Sequence, residues 1–275
     1  MAREFWLMGG DERSYWAAEH LKAEGVAVHT YGVPKLADTP LSEAFEEVIL
    51  PFPSFQGALL KGHSAVPVEE VLCRIRKGTC IYGGLLGSWK EAMAERGGEV
   101  FELYGSEPLT TYNAVLTAEG ALCLAIENSP VCLYGAECLV IGWGRIGKLL
   151  AQRLQSLSAR VTVSARKEGD RALAEAYGFL TDQTGIYRHG LRQFDFVFNT
   201  VPFPVLSRKQ LSALNPHCLI TELASAPGGI SEEDCKALGL SYLNAPGLPG
   251  RFSPKTAGTL YARSILDLTF KEEGI

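Results

Sequence analysis

A chain of 275 residues, 47% hydrophobic and 21% charged, has the composition of a soluble globular protein of one large or two ordinary domains. A formal net charge of −5 without any basic stripe argues against nucleic-acid binding. No apolar run approaches a membrane span, and the apolar start, Met1 to Met8, is interrupted by Gly9-Gly10-Asp11-Glu12-Arg13 before it reaches signal-peptide length. The expected location is the cytoplasm.

In chain order, Phe5 to Met8 reads as a buried strand and Ser14 to Leu21 as a helix. Val26 to Tyr31 and Glu47 to Pro51 read as strands, followed by a loop rich in Pro, Gly and Ser to about His63. A helix is expected over 68–76, a strand over 79–82, a helix over 88–96 and a strand over 99–104. Alternating strands and helices point to a parallel sheet covered on both faces. Asn113 to Glu127 is a long apolar-periodic helix. A second series then has strands at 137–141, 160–165, 194–201, 218–223 and 241–245, and a last helix runs from about Thr256 to Phe270. The expected class is α/β, with two Rossmann-like lobes of parallel sheet joined by crossing helices. Residues 1–112, completed by 256–275, form the substrate lobe, and 113–255 hold the crossing helix and a doubly wound dinucleotide-binding domain.

The seven cysteines, Cys73, Cys80, Cys123, Cys132, Cys138, Cys218 and Cys235, show no Cys-x-x-Cys spacing. They read as small buried hydrophobes in a reducing compartment. The five histidines, His20, His29, His63, His189 and His217, form no metal-spaced pair, so no metal is expected.

The central stretch is Glu137 to Leu150, an apolar strand entering Gly142-x-Gly144-x-x-Gly147 with an amphipathic pattern after it. The first glycine permits the turn, the second lets backbone approach a pyrophosphate, and the third lets helix pack on strand. Arg145, Ile146 and the other first-turn residues lie where helix amides meet phosphates. The second strand ends in Ser164-Ala165-Arg166-Lys167, where an NAD site would place a carboxylate on the ribose. Without that carboxylate, and with Arg166 and Lys167 able to pair with a 2′-phosphate, NADP is favoured over NAD. Asn199-Thr200-Val201-Pro202 ends the fourth strand, so Thr200, Val201 and Pro202 are expected beside the ribose and nicotinamide. Asp195 reads as structural.

Loops rich in Gly and Pro follow the later strands. Taken with Gly9-Gly10-Asp11, Thr117-x-Glu119-Gly120, the glycine turn, Ala165-Arg166, Asn199-Thr200-Val201-Pro202 and Leu223-Ala224-Ser225, the segments Ala245-Pro246-Gly247-Leu248-Pro249-Gly250 and Pro254-Lys255-Thr256-Ala257-Gly258 resemble the dipicolinate synthase A-subunit family over nearly the whole chain. That resemblance implies NADP-linked conversion of dihydrodipicolinate, a branch from the lysine pathway, to pyridine-2,6-dicarboxylate during sporulation. It also implies the flavoprotein-like B-subunit of dipicolinate synthase as partner. Two positions depart from the family's pattern: Ala226 stands where Arg is usual, and Arg251 where an apolar residue is usual. Arg251 is therefore expected to supply a carboxylate-binding charge. Lys255 is a candidate for a substrate carboxylate and Glu119 for the proton acceptor. Asp11, Arg13, Ser54, Ser64, Thr117 and Ser225 are further substrate-side candidates. A homo-oligomer is expected.

Two alternatives remain open on the residues alone. A 2-hydroxyacid or alanine dehydrogenase has the same two-lobe build, but residues 241–258 contain no histidine for its acid–base chemistry. A non-catalytic, NADP-binding partner of a flavoprotein is the other, since no residue announces itself as the acid or base.

Overall fold

Strands of this chain are apolar on both faces, which only a sheet covered by helices on each side can accommodate. The computed structural model describes residues 3–188 and 190–272. His189 of the histidine set, and the extreme ends of the expected first lobe and its closing helix, lie outside the described residues. The chain divides into two compact units, one running to Asn113 and resuming at Ser253, the other spanning Ala114–Phe252.

In the first unit β1 (Glu4–Met8) leads to α1 (Glu12–Ala23), β2 (Ala27–Tyr31) and β3 (Glu47–Ile49). A small hairpin, β4 (Phe55–Gln56) with β5 (Leu59–Leu60), occupies the segment that reads as plain loop in the sequence. Then come α2 (Glu69–Leu72), β6 (Cys80–Gly83), α3 (Trp89–Glu95) and β7 (Glu99–Glu102). The helix expected over 68–76 is thus only one turn long. All five sheet strands are parallel, in the order β2-β1-β3-β6-β7. Side-chain alternation along β1 sends Phe5 and Leu7 into one core and Trp6 and Met8 into the other.

Helix α4 (Glu107–Asn128) starts six residues before the periodic apolar pattern. Pro108 falls in its first turn, where a missing amide hydrogen costs nothing, and Glu107 suits the positive end of the helix dipole. At 22 residues and a mean hydropathy of 1.3 it is long and apolar enough to cross a membrane by length and composition, against the sequence expectation. Half of its most apolar 18-residue stretch is buried within the protein.

The second unit continues with β8 (Glu137–Ile141), α5 (Arg145–Ser156), β9 (Arg160–Ala165), α6 (Glu168–Ala176), β10 (Leu180–Gln183), β11 (Phe196–Asn199), α7 (Arg208–Leu211), β12 (Leu219–Glu222), α8 (Glu232–Ala237), β13 (Ser241–Asn244) and α9 (Leu248–Phe252). Strand β10 is not foreshadowed in the sequence, because Leu-Thr-Asp-Gln carries no apolar alternation. It is an edge strand that pairs with β9 alone. The sheet is parallel, in the order β10-β9-β8-β11-β12-β13. That is the doubly wound dinucleotide-binding order, with reversal between the first and fourth strands of the unit. Asp195, as expected, is structural: its carboxylate accepts from the Glu137 amide at 3.0 Å.

The segment 245–258, a loop by its composition, is mostly helical. It holds α9 and the start of α10 (Pro254–Glu272). Both helices owe their seat to a glycine. A Cβ at Gly120 would press on Leu248 Cβ at 2.8 Å, and one at Gly258 would lie 2.9 Å from Trp16 Cβ. Gly120 therefore admits α9 against α4, and Gly258 admits α10 against α1.

Cys138, Cys218 and Cys235 are buried, whereas Cys73, Cys123 and Cys132 are exposed. Desolvation, reinforced by nearby carboxylates, pushes the Cys218 thiol up to about 12 and Cys235 up to about 11, and Cys138 further still. A thiol reagent at mildly alkaline pH is expected to label the three exposed cysteines in the native protein. The three buried ones should react only after unfolding, which mass mapping of the labelled peptides checks.

Candidate cofactor and substrate sites

Strand β8 ends at Ile141 and the chain turns at Gly142, whose φ of +106° favours glycine. A Cβ there would collide with Thr200 Oγ1, and one at Gly147 would collide with the Gly142 carbonyl oxygen. These two glycines let β8, β11 and α5 meet. Gly144 differs: nothing lies within 4 Å of where its Cβ would stand. It is exposed and is the N-cap of α5, with no side-chain cap on the helix. The middle glycine therefore leaves open space at a helix N-terminus without a side-chain cap, as the approach of a pyrophosphate to that helix requires. Arg145 is exposed and Ile146 half-buried on the first turn.

At the end of β9, Arg166 and Lys167 are exposed. Ser164 must be corrected as a cofactor contact: it is fully buried, and its hydroxyl donates to Thr184 Oγ1 at 3.0 Å. It fastens β9 to the segment after β10. The guanidinium of Arg171, which no sequence motif singles out, donates to the carbonyls of Ala165 at 3.0 Å and Arg166 at 2.9 Å.

At the end of β11, the Thr200 amide and hydroxyl both donate to the Ile141 carbonyl at 2.9 Å. Thr200 thereby closes the glycine turn, keeping only acceptor capacity on its oxygen. The Val201 amide donates to Asn199 Oδ1 at 3.1 Å, and Pro202 is exposed. Behind them lies a network that sequence reasoning misses. Glu222 is 2% exposed and has no cationic partner among the described residues. Its carboxylate accepts from Asn199 Nδ2 at 2.8 and 2.9 Å, and from the amides of Ala224, Gly229 and Ile230 at 3.0 Å each. Asn199 Nδ2 also donates to the Val201 carbonyl at 2.9 Å. One buried anion thus ties the loop after β11 to the loop after β12. Ser225, on the latter loop, is exposed.

In the first unit Asp11 caps α1, accepting from the Arg13 amide at 2.9 Å, and its carboxylate meets Arg13 Nε at 2.9 Å and Nη2 at 2.7 Å. Burial pushes the Asp11 carboxyl up, but hydrogen bonds and charge from Arg13 outweigh it and hold the group below its ordinary 3.8. A carboxylate with a lowered pKa contributes stability above its unfolded value and loses it as pH falls through the folded value. Wild type is therefore expected to lose more stability than Asp11→Asn from about pH 5 downward, measured by urea unfolding at stepped pH. Ser54 needs correction as a substrate contact: it is fully buried, donating to the Pro51 carbonyl at 2.8 Å and accepting from the Gly84 amide at 3.1 Å. Ser64 is half-buried. Lys255 lies in the first turn of α10, its ammonium 4.9 Å from the Trp16 ring centroid.

Thr117 is buried on α4. Glu119 pairs with Arg153 of α5 at 3.4 Å. Arg251, expected in a loop as a carboxylate binder, is on α9. Its guanidinium pairs with Glu127 at 3.7 Å and stacks 4.7 Å from the Phe252 centroid. The first contact reaches from α9 to α4; the second is within α9. Among the described residues no group of three or more His, Cys, Asp or Glu side chains is placed to hold a metal ion.

No family model matches the chain. The chain is 27% identical to the dipicolinate synthase A-subunit of Bacillus subtilis (strain 168) over 281 aligned positions, covering 95% of this chain and 94% of that protein. The crystal structure of the dipicolinate synthase A-subunit from Bacillus halodurans superposes with a TM-score of 0.86 at 24% identity, covering 98% of each chain. A transhydrogenase from Sinorhizobium meliloti shares the fold at a TM-score of 0.71 and 15% identity, covering 97% of this chain and 93% of that one. The resemblance to the dipicolinate synthase A-subunit carried by the Pro-Gly and Pro-Lys-Thr-Ala-Gly segments thus extends over the full chain and through its fold.

Proposed function

We propose that this chain is the NADP-binding subunit of a cytoplasmic dipicolinate synthase. It oxidises dihydrodipicolinate to dipicolinate for spore formation, together with a flavoprotein-like second subunit. The observation that carries this reading is the end-to-end similarity to the A-subunit of a dipicolinate synthase, joined by the open space at Gly144. A bound NADP⁺ would supply the acceptor for a hydride from a ring carbon, and loss of a ring proton would complete the aromatisation.

The residues of this chain bind, orient and accept the proton. Gly144, with the first turn of α5, holds the pyrophosphate. Arg166 and Lys167 favour a 2′-phosphate, because a guanidinium and an ammonium pair with it where a carboxylate would repel it. Arg13 is the group for one substrate carboxylate. Asp11, itself an anion, orients that guanidinium through Nε and Nη2. Lys255 is assigned to the second carboxylate, and Glu119 to the proton. If Glu119 is the acceptor, Glu119→Gln lowers kcat with little change in KM; an unchanged kcat assigns it to the Arg153 ion pair alone.

The non-catalytic reading has one observation in its favour: Glu119 and Asp11 both already face a guanidinium. Purified chain with dihydrodipicolinate and NADP⁺, assayed with and without the flavoprotein, separates the two. Dipicolinate formed with an equal amount of NADPH, by the chain alone or with the partner present, supports the enzyme. Product that appears only with the partner, and without NADPH, supports a template. No product under either condition overturns both.

A further inference from the structure

The turn joining β9 to α6 carries two exposed cations, Arg166 and Lys167, at the start of a nine-residue helix. Lys167 is the N-cap and offers no side-chain acceptor to the first-turn amides. One turn further on, the Arg171 amide donates to the Lys167 carbonyl at 3.2 Å. From there its guanidinium returns to the turn, where a single nitrogen, Nη1, donates to the carbonyls of Ala165 and Arg166. Cations near a helix N-terminus oppose the helix dipole. Glu168 and Asp170 in the first turn offset part of that opposition. Three cations gathered at the positive end of a helix are best stabilised by a further anion, and a phosphate monoester carries the charge and acceptors for it.

We propose that Arg171 is a positioning residue for the 2′-phosphate of NADP: it pins the backbone of Ala165 and Arg166, so that Arg166 and Lys167 meet the phosphate with a fixed turn beneath them. This rests on the NADP reading above and adds a residue to it. Arg171 is assigned to act through its neighbour, because both Nη1 bonds go to carbonyls of the turn itself; direct contact through its other N–H groups is the outcome that additivity would reveal. A flexible turn would have to be ordered on binding, which weakens affinity for the phosphorylated cofactor while leaving the pyrophosphate site unaffected.

The test titrates full-length wild type, Arg171→Met, Arg166→Met and the double variant with NADPH and with NADH, following fluorescence, with thermal midpoints measured on each. Wild type is expected to prefer NADPH. Arg171→Met should bind NADPH about tenfold more weakly with NADH affinity unchanged. The double variant should lose clearly less than the two single losses combined, since a residue acting through another is non-additive with it. Arg171→Lys, which keeps a cation with shorter reach, should fall between wild type and Arg171→Met, and it carries the test if the methionine variant does not fold. An unchanged NADPH-to-NADH ratio in the Arg171 variants overturns the proposal, as does full additivity, which would mean direct phosphate contact. A wild type that prefers NADH overturns the NADP reading itself, and Arg171 with it.

Discussion

Gly144→Val is expected to abolish detectable NADP(H) binding while the protein still folds. Nothing stands within 4 Å of a Cβ at this position, and the backbone there, φ −77° and ψ −168°, is extended and open to any residue. The folding cost is that of losing a glycine N-cap, about 1 kcal/mol. The binding cost is much larger. Two methyl groups would occupy the space through which a pyrophosphate approaches the α5 amides, and a loss of about 3 kcal/mol, roughly a hundredfold in Kd, is the minimum expected. Isothermal titration with NADPH, alongside a thermal melt, separates the two effects. Gly147→Ala should behave in the opposite manner. Its Cβ collides with the Gly142 carbonyl inside the turn, so stability falls first and binding falls with it.

Glu222→Gln is expected to be among the most destabilising single substitutions in the second unit, at about 3 kcal/mol. Both carboxylate oxygens are acceptors for N–H groups, from Asn199, Ala224, Gly229 and Ile230. A glutamine of the same shape presents an NH₂ to donors on one side and leaves buried amides unpaired, and that failure costs more than a hydrogen bond contributes. Urea unfolding measures the stability loss. Because the same carboxylate ties the loop after β11 to the loop after β12, NADPH affinity should fall in step. A stability change under about 0.5 kcal/mol, the range of ordinary surface substitutions, would show that these loops are held by other contacts.

Much of the fold is legible in the sequence because the second sheet is built from strands such as Cys138-Leu139-Val140-Ile141 and Phe196-Val197-Phe198, whose alternate residues enter different cores. Strand β10 is hidden because an edge strand needs only backbone pairing, and its residues carry no apolar signal. The 245–258 segment misleads for another reason. Its proline and glycine density reads as loop chemistry, yet Pro249 and Pro254 each fall in the first turn of a helix, where proline is well tolerated. The expectation that Arg251 lies in a loop fails with it. On α9 this residue has Glu127 and Phe252 beside it.

At the site, the glycine spacing and the Arg166-Lys167 pair are visible because they are local. Glu222 with Asn199 is not, since the two lie 23 residues apart in sequence and only the adjacency of β11 and β12 brings them together. Ser54 and Ser164 look like ligand contacts because small hydroxyls near strand ends often are. Burial and a specific partner for each reassign them to the scaffold. Arg171 has the pattern of an ordinary helix-surface cation, and only the fold returns it to the Ala165 and Arg166 carbonyls.

On the proposed function, hydride leaves the substrate ring for a nicotinamide cofactor whose pyrophosphate is bound at Gly144. Dihydrodipicolinate deuterated at the ring carbon that gives up hydride, incubated with this chain, its flavoprotein partner and NADP⁺, tests it most directly. Mass spectrometry of the reduced cofactor should find deuterium in NADPH in equal amount to the dipicolinate formed, and no such transfer with Gly144→Val. Dipicolinate formed at the same rate without labelled NADPH, or undiminished by Gly144→Val, would contradict it.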